Sequence, residues 1–250
     1  MDETRIRYLR AMGITPWVDR SAPAAMPEQV PSGQPEPDAR LPERAPPANP
    51  DAAPGANADD AAIPLMDWET LRETVRTCRR CGLHEGRTQA VFGVGPERAD
   101  WLVIGEAPGA EEDRQGEPFV GRAGQLLDAM LAALGLDRTT AYIANVLKCR
   151  PPNNRDPEPA EAEHCAPFLD RQIALIRPRV ILAVGRIAAQ RLLGTDSPLG
   201  RMRGQVHAYG PDRLPVVVTY HPAYLLRRPS EKGKVWRDLL YARRQLDSAT

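Results

Sequence analysis

Apolar positions between residues 66 and 250 follow two alternating rhythms. Four short continuous runs, Trp101–Ala107, Ala141–Leu147, Arg179–Val184 and Leu214–Tyr220, have the length of buried strands. Between them the apolar spacing relaxes to every third or fourth residue. Leu65, Trp68, Leu71 and Val75 mark one face of an opening helix. Ala123–Leu134 reads as a helix stopped at Gly135, and Glu158–Ile176 as one halted before Pro178. Another helix opens at Gly185 and closes near Gly194, and Ser230–Leu246 closes the domain. Gly204–Tyr209 looks like an edge strand turning at Gly210-Pro211-Asp212. Buried runs separated by helices predict an α/β fold, a three-layer α/β/α sandwich around a central, mainly parallel four-stranded sheet.

The pattern fails before residue 66. Residues 21–65 hold 11 Pro and 12 Ala, too little apolar surface to offset the entropy of ordering. They are expected to be a disordered linker. Residues 1–20 differ again: Ile6, Tyr8, Leu9 and Met12, then Ile14 and Trp17, suit a short amphipathic helix followed by an extended anchor. A helix that short is marginal alone, so a docking peptide ordered by a partner is the expectation. The domain is then residues 66–250.

Charge adds one local signal. Lys and Arg balance Asp and Glu at 33 each, but residues 201–250 carry 10 basic and 4 acidic residues. That end is a candidate surface for a polyanion. No apolar run approaches a membrane span, and Met1-Asp2-Glu3-Thr4-Arg5 is no secretory n-region. A cytoplasmic, nucleoid-associated protein is expected, with its 4 cysteines in a reducing compartment. No coiled-coil heptads point to self-association, so a monomer is expected.

Open parallel sheets bind ligands beyond the carboxyl ends of their strands. Here those ends carry Gly105-Glu106-Ala107-Pro108-Gly109, Asn145, Gly185 and His221-Pro222. An acid, an amide and an imidazole on one rim specify a polar pocket for a small planar or phosphorylated ligand, not a reaction. The cysteines form a second constellation: Cys78-x2-Cys81, then Cys149 and Cys165 with 15 residues between them. Four thiolates suit zinc or an iron–sulfur cluster, and spacing alone does not choose.

Three segments are more specific. Gly105-Glu-Ala-Pro-Gly-Ala-Glu-Glu-Asp-Arg-Gln-Gly-Glu-Pro-Phe-Val-Gly121, Asn145-Val-Leu-Lys-Cys-Arg-Pro-Pro-Asn-Asn-Arg155 and His221-Pro-Ala-Tyr-Leu-Leu-Arg227 together resemble the type-4 uracil-DNA glycosylases, the iron–sulfur branch of their superfamily. The resemblance covers about residues 75–243. It implies a [4Fe-4S] cluster on Cys78, Cys81, Cys149 and Cys165. It implies uracil flipped from single- or double-stranded DNA, its glycosidic bond hydrolysed and an abasic site left for base excision repair.

Phe119 matches the family's stacking aromatic, with Gly105 and Ala107 in the same pocket. Asn145 matches the amide that reads uracil, because O4 accepts and N3–H donates where cytosine presents the reverse. His221 matches the residue near uracil O2, where a donor stabilises the leaving anion. The other histidines, His84, His164 and His207, read as structural. The acid is open. Other glycosylases of the superfamily place a water-activating Asp where this chain has Ala107. Glu106 and Glu112 are the candidate carboxylates, while Glu111 and Asp113 read as solvated loop charges. Gly109 stands where a Tyr excludes the thymine methyl in those enzymes, so that exclusion must arise elsewhere. Leu225 and Leu226 are candidate wedges beside Arg227 and Arg228, with Arg150, Arg155, Lys232 and Lys234 extending a phosphate track.

Three other readings compete. A covalent uracil-binding relative carries Gln-Pro-Gly in the first motif and a basic loop ending in a nucleophilic His; neither is present here. A non-catalytic DNA-binding module recruited by its tail is disfavoured by the intact Glu106, Phe119, Asn145 and His221. An unrelated nucleotide binder would need a glycine-rich phosphate loop after the first strand, and there is none. The tail itself is suggestive: residues 8–17 are similar to the N-terminal peptide of the psi subunit of the bacterial clamp loader. That resemblance implies a clamp-loader or replisome partner reached through residues 5–17.

Overall fold

The computed structural model describes residues 61–247. The expected docking peptide, and the expected linker up to residue 60, lie outside the described residues. Five strands form one sheet: β1 (Trp101–Gly105), β2 (Ala141–Asn145), β3 (Val180–Val184), β4 (Val206–Tyr209) and β5 (Leu214–Thr219), in the order β2-β1-β3-β5-β4. β1, β2, β3 and β5 are mutually parallel, and β4 joins β5 antiparallel at the edge. The sheet therefore has five strands rather than four, because the segment read as an edge strand does pair. Its burial alternates between exposed and partly covered residues, as an edge requires.

Every residue of β1, β2 and β3 is buried, which only a sheet covered on both faces allows. Helices α1 (Trp68–Thr77) and α2 (Leu83–Gly86) precede β1, and α3 (Ala110–Gln115) and α4 (Arg122–Ala133) follow it. α5 (Pro159–Ile176) leads into β3, with α6 (Arg186–Leu193) and α7 (Leu199–Met202) after it. α8 (Pro222–Arg227) and α9 (Lys232–Asp247) follow β5. One face of the sheet, with Leu102, Ile104, Ala144 and Ile181, packs against Leu71, Phe168, Ile173 and Ala188. The other, with Val103, Ile143, Leu182 and Val217, packs against Leu127, Met130, Leu131 and Leu239. The α/β/α sandwich follows from this period of two.

The opening helix needs one correction. Asp67 caps α1 by accepting the Thr70 N–H at 2.9 Å, so the helical face starts at Trp68. Leu65 lies before the cap and is 83% exposed, whereas Ile63, in the stretch expected as linker, is buried. The folded domain thus reaches back at least to Ile63.

β1 connects to β2 on one side and neighbours β3 on the other. The strand order reverses between β1 and β3, and such a switch point opens a crevice at the carboxyl ends of the strands. Glu106 leaves β1 and His221 follows β5 at that rim.

Candidate active site

The crevice is a cavity of about 520 Å³ lined by Glu106, Ala107, Gly109, Glu112, Phe119, Asn145, Arg155, His221, Tyr224 and Arg227, among others. Residues from three sequence motifs therefore meet in one place. Gly105 lies beneath them. A Cβ there would come within 2.5 Å of both Asn145 Oδ1 and a Phe119 ring carbon, so only glycine lets the amide and the ring close over the end of β1.

Asn145 ends β2 and is 2% exposed. Its side-chain Oδ1 is buried with no hydrogen-bond partner. A buried acceptor left open costs about 1–3 kcal/mol and marks a position that a ligand completes. The residue's backbone is fixed from the core side. Lys148, itself buried, donates to Asn145 O at 2.9 Å and to Gln172 Oε1 at 2.6 Å, and Gln172 donates to Phe92 O at 3.0 Å.

Phe119 sits at φ +56, in the left-handed region that a bulky residue enters only at a cost of about 1–3 kcal/mol. Its surroundings over-determine that conformation. Arg138 donates to Pro118 O at 2.9 Å and to Phe119 O at 2.5 Å, and is held by Asp128 at 2.9 Å. Glu112 accepts the N–H groups of Val120 at 2.9 Å, Gly121 at 3.2 Å and Gly109 at 3.1 Å. Gly124 lies so close that a Cβ would overlap the Phe119 carbonyl. The carboxylate of Glu112 is thus engaged by three backbone donors. That arrangement positions the loop, with Oε1 taking two of the donors and Oε2 one.

Glu106 has no such engagement. It is half-buried, and burial together with the charge of Asp156 pushes its carboxyl up to about 7, against the opposing pull of Arg186. Arg186 is itself paired with Asp156 at 2.6 Å. A carboxylate poised near neutrality on a cavity wall suits work on a proton or a developing cation.

His221 caps α8. Its Nδ1 accepts the Ala223 N–H at 3.1 Å, which assigns the ring proton to Nε2. Burial, reinforced by Arg227, pushes its pKa down to about 4. The imidazole is therefore neutral at physiological pH and offers one donor, Nε2–H. Its ring stacks on Phe119 with centroids 5.5 Å apart.

The wedge reading divides. Leu225 is 1% exposed and belongs to the core, because α8 starts at Pro222 and turns position 225 inward. It does not reach DNA. Leu226 is 39% exposed, Arg227 lines the cavity, and Arg228 is exposed beyond it. Arg155 reaches the cavity, but its guanidinium is committed to Glu161 at 2.6 Å and 2.8 Å and to Glu158 at 3.1 Å. Asp113 is also corrected: it is buried and accepts the Thr88 N–H at 2.9 Å, tying α3 to the segment after the cysteine pair. His84, His164 and His207 each bond a backbone carbonyl, at 2.8, 2.6 and 2.7 Å, as structural histidines do.

Sequence reasoning missed Tyr224, Arg138 and Lys148. Tyr224 had a signal: a helix from Pro222 puts residues 221, 224 and 227 on one side. Arg138 and Lys148 had none, since nothing in the local pattern marks the carbonyls they hold.

Cys78, Cys81, Cys149 and Cys165 line a second cavity with Arg80, Arg87 and Lys148. All are free thiols. Burial pushes Cys81 and Cys149 up and Cys165 to about 12, so they are inert as nucleophiles without a metal's charge. Arg87 donates to Cys149 Sγ at 2.8 Å, and the Lys148 N–H to Cys165 Sγ at 3.3 Å. Among the described residues no three such ligands close on a single metal ion. A four-iron cluster spaces its thiolates more widely, one to each iron, and the surrounding cations offset its net negative charge. The donor set fits that group.

A family model for the uracil DNA glycosylase superfamily matches residues 92–240. A type-4 uracil-DNA glycosylase of Archaeoglobus fulgidus is 48% identical over 171 residues, covering 64% of this chain and 85% of that protein. One of Thermotoga maritima is 43% identical over 166 residues, covering 66% and 85%. A type-5 uracil-DNA glycosylase of Thermus thermophilus is more distant, at 29% over 209 residues, 70% of this chain and 94% of that protein.

Proposed function

Given that the chain belongs to the uracil DNA glycosylase superfamily, in its type-4 branch, we propose that it flips uracil out of DNA into the cavity at the β1/β3 switch point and hydrolyses the glycosidic bond there. The observation that carries this reading is the company Asn145 keeps. Its unpartnered buried Oδ1 lies with an aromatic ring and a neutral imidazole donor in one cavity. The amide reads the O4 and N3–H edge, Phe119 stacks on the ring, and His221 Nε2–H donates to O2 as negative charge grows on the departing base.

Glu106 is the catalytic carboxylate in this account. Ionised, it stabilises the cationic sugar or orients the attacking water. Glu112 is a positioning residue that holds the Phe119 loop. Leu226, Arg227 and Arg228 face the DNA. Cys78, Cys81, Cys149 and Cys165 hold a [4Fe-4S] cluster whose binding energy is folding energy for the segments it joins. Residues 1–20 would bring the enzyme to a clamp-loader subunit, a reading supported by sequence resemblance alone. No described helix is long and apolar enough to cross a membrane.

The test is excision from a single-stranded oligonucleotide with one uracil, resolved on a denaturing gel with and without alkali. Alkali-dependent cleavage with multiple turnovers is expected; a heat-stable shifted band would mean covalent capture instead. The pH dependence checks Glu106. The working form is ionised, so the rate rises with pH through about 7 and is level above it. Glu106→Gln removes that rise and lowers the plateau. A parent profile already level from pH 5 would exclude Glu106 from the role.

A further inference from the structure

A smaller cavity, of about 260 Å³, adjoins the uracil cavity and is lined by Gly82, Leu83, Gly86, Arg150, Pro151 and Asn153, among others. Pro151 lines both cavities. The shared wall is the segment that follows β2 beyond Cys149. It turns at two successive asparagines in the left-handed region, both at φ +54. Asn153 then lines the small cavity and Asn154 the uracil cavity. The small cavity is therefore a side opening of the uracil site, on the same carboxyl rim of the sheet.

Its opposite wall is α2, and two glycines there lack a reason within the chain. Gly82 has φ −62 and ψ −13, which any residue adopts, and Gly86 also lies outside the left-handed region. A Cβ on either would meet no atom within 4 Å. Neither backbone conformation nor internal packing calls for glycine, and each one costs about 0.5–1 kcal/mol relative to alanine in a helix. A bare backbone on an open wall instead lets another molecule approach closely. Glu85, between the two, is exposed and does not line the cavity.

Arg150 supplies the charge. Its Nε donates to Asn154 Oδ1 at 2.7 Å, a neutral partner that fixes the side chain. Among the described residues no carboxylate pairs with it, and its two terminal nitrogens have no partner. Arg155, by contrast, is spent on Glu158 and Glu161. An oriented, unneutralised guanidinium fork suits a phosphate. None of the described residues lining the small cavity is aromatic, so it suits a sugar-phosphate backbone and not a stacked base.

We propose that this side opening seats one phosphate of the DNA strand next to the flipped uridine, with Arg150 on the phosphate and the backbone passing over Gly82 and Gly86. The proposal rests on the uracil reading, and excision by the parent chain checks that reading separately. The contact is the same in ground and transition state, so it acts on KM and not on kcat.

The experiment uses the full chain with its cluster and a single-stranded substrate with one uracil. In a matched series, one phosphate at a time on either side of the uridine is replaced by a neutral methylphosphonate. Arg150→Ala is expected to raise KM about tenfold on the unmodified strand with kcat within about twofold. The slope of log KM against log salt should fall by about 0.7, the loss of one phosphate on a single strand. At one position of the series the methylphosphonate should raise KM for the parent and change nothing further for Arg150→Ala, because both remove the same contact. Gly86→Leu fills the opening and should raise KM about tenfold or more. Gly86 is exposed, so this variant should keep the parent's thermal midpoint or exceed it. Arg150 follows Cys149 directly, so iron content is measured alongside; if Arg150→Ala loses iron, Gly86→Leu and its own methylphosphonate series decide the matter. Parent-like KM in Gly86→Leu overturns the proposal, and so does parent-like KM in an iron-replete Arg150→Ala. Methylphosphonate effects that add in full to those of the variants at every position also overturn it, because they would mark a general field with no phosphate seated in the opening.

Discussion

Replacing His221 by alanine lowers kcat for uracil excision by about 10²–10³-fold and leaves KM within about threefold, the expected loss for one donor aimed at a developing anion. The donor is identified by what its other nitrogen does. Nδ1 is occupied by the Ala223 N–H, so only Nε2 can carry the proton. A folded-state pKa of about 4 keeps the ring neutral across the working range. The lowered value also fixes the sign of the pH effect. The ring gains a proton only below about pH 4, so His221 contributes no titration above pH 5. His221→Ala should therefore depress the rate evenly from pH 6 to 9 and preserve the rise near 7 assigned to Glu106. A variant that lost activity only on the acid side would mean that the imidazolium does the work. The ring also stacks on Phe119, so the substitution could act by loosening the loop. A shifted loop would raise KM, and the constancy of KM separates the two causes.

The pocket is rigid for reasons spread over the domain. Phe119 is held in an uncommon backbone region by Arg138, Glu112 and the bare Gly124. Glu112 belongs to α3, and α3 is tied through Asp113 to Thr88, just beyond the cysteine pair. Lys148 holds the Asn145 carbonyl and is followed directly by Cys149. The cysteine cavity and the uracil cavity are thus joined along two short routes. A cluster that locks the Cys78–Cys81 segment onto the sheet would support base reading without touching the base.

Much of this was legible in the chain. Strand runs and helix spacing placed every strand of the sheet, because a doubly covered sheet leaves continuous apolar runs that little else produces. The rim residues Glu106, Asn145 and His221 followed from where those runs end. What stayed hidden had non-local causes. Asp113 looks like one acid in an acidic loop, and only the approach of Thr88 buries it. Arg138 acts on a carbonyl 19 residues back. Leu225 and Leu226 are chemically alike in sequence, and the helix phase set by Pro222 decides which one is core. The short helices α3, α7 and α8 carry too few apolar positions to show a period.

Exchange of Asn145 for aspartate tests base reading most sharply. Uracil presents an acceptor at O4 and a donor at N3, and an amide answers both. An ionised carboxylate answers only N3–H and turns its charge against O4. Cytosine reverses the pattern, with a donor at N4 that a carboxylate accepts. Mispaired polar groups in a closed site discriminate by about 10⁴. Asn145→Asp should therefore lower uracil excision by about 10³–10⁴-fold, while cytosine excision becomes detectable on the same gel. The burial of Asn145, at 2% exposure, sharpens the contrast because no water can repair a wrong pair. The substitution keeps side-chain shape, and the Lys148 contact is to the backbone carbonyl, so the fold should persist, with a lowered thermal midpoint because a carboxylate replaces a neutral amide at a buried position. Uracil excision within about tenfold of the parent, in a variant that remains folded at the assay temperature, would move the reading of the O4 edge to the loop backbone around Gly109.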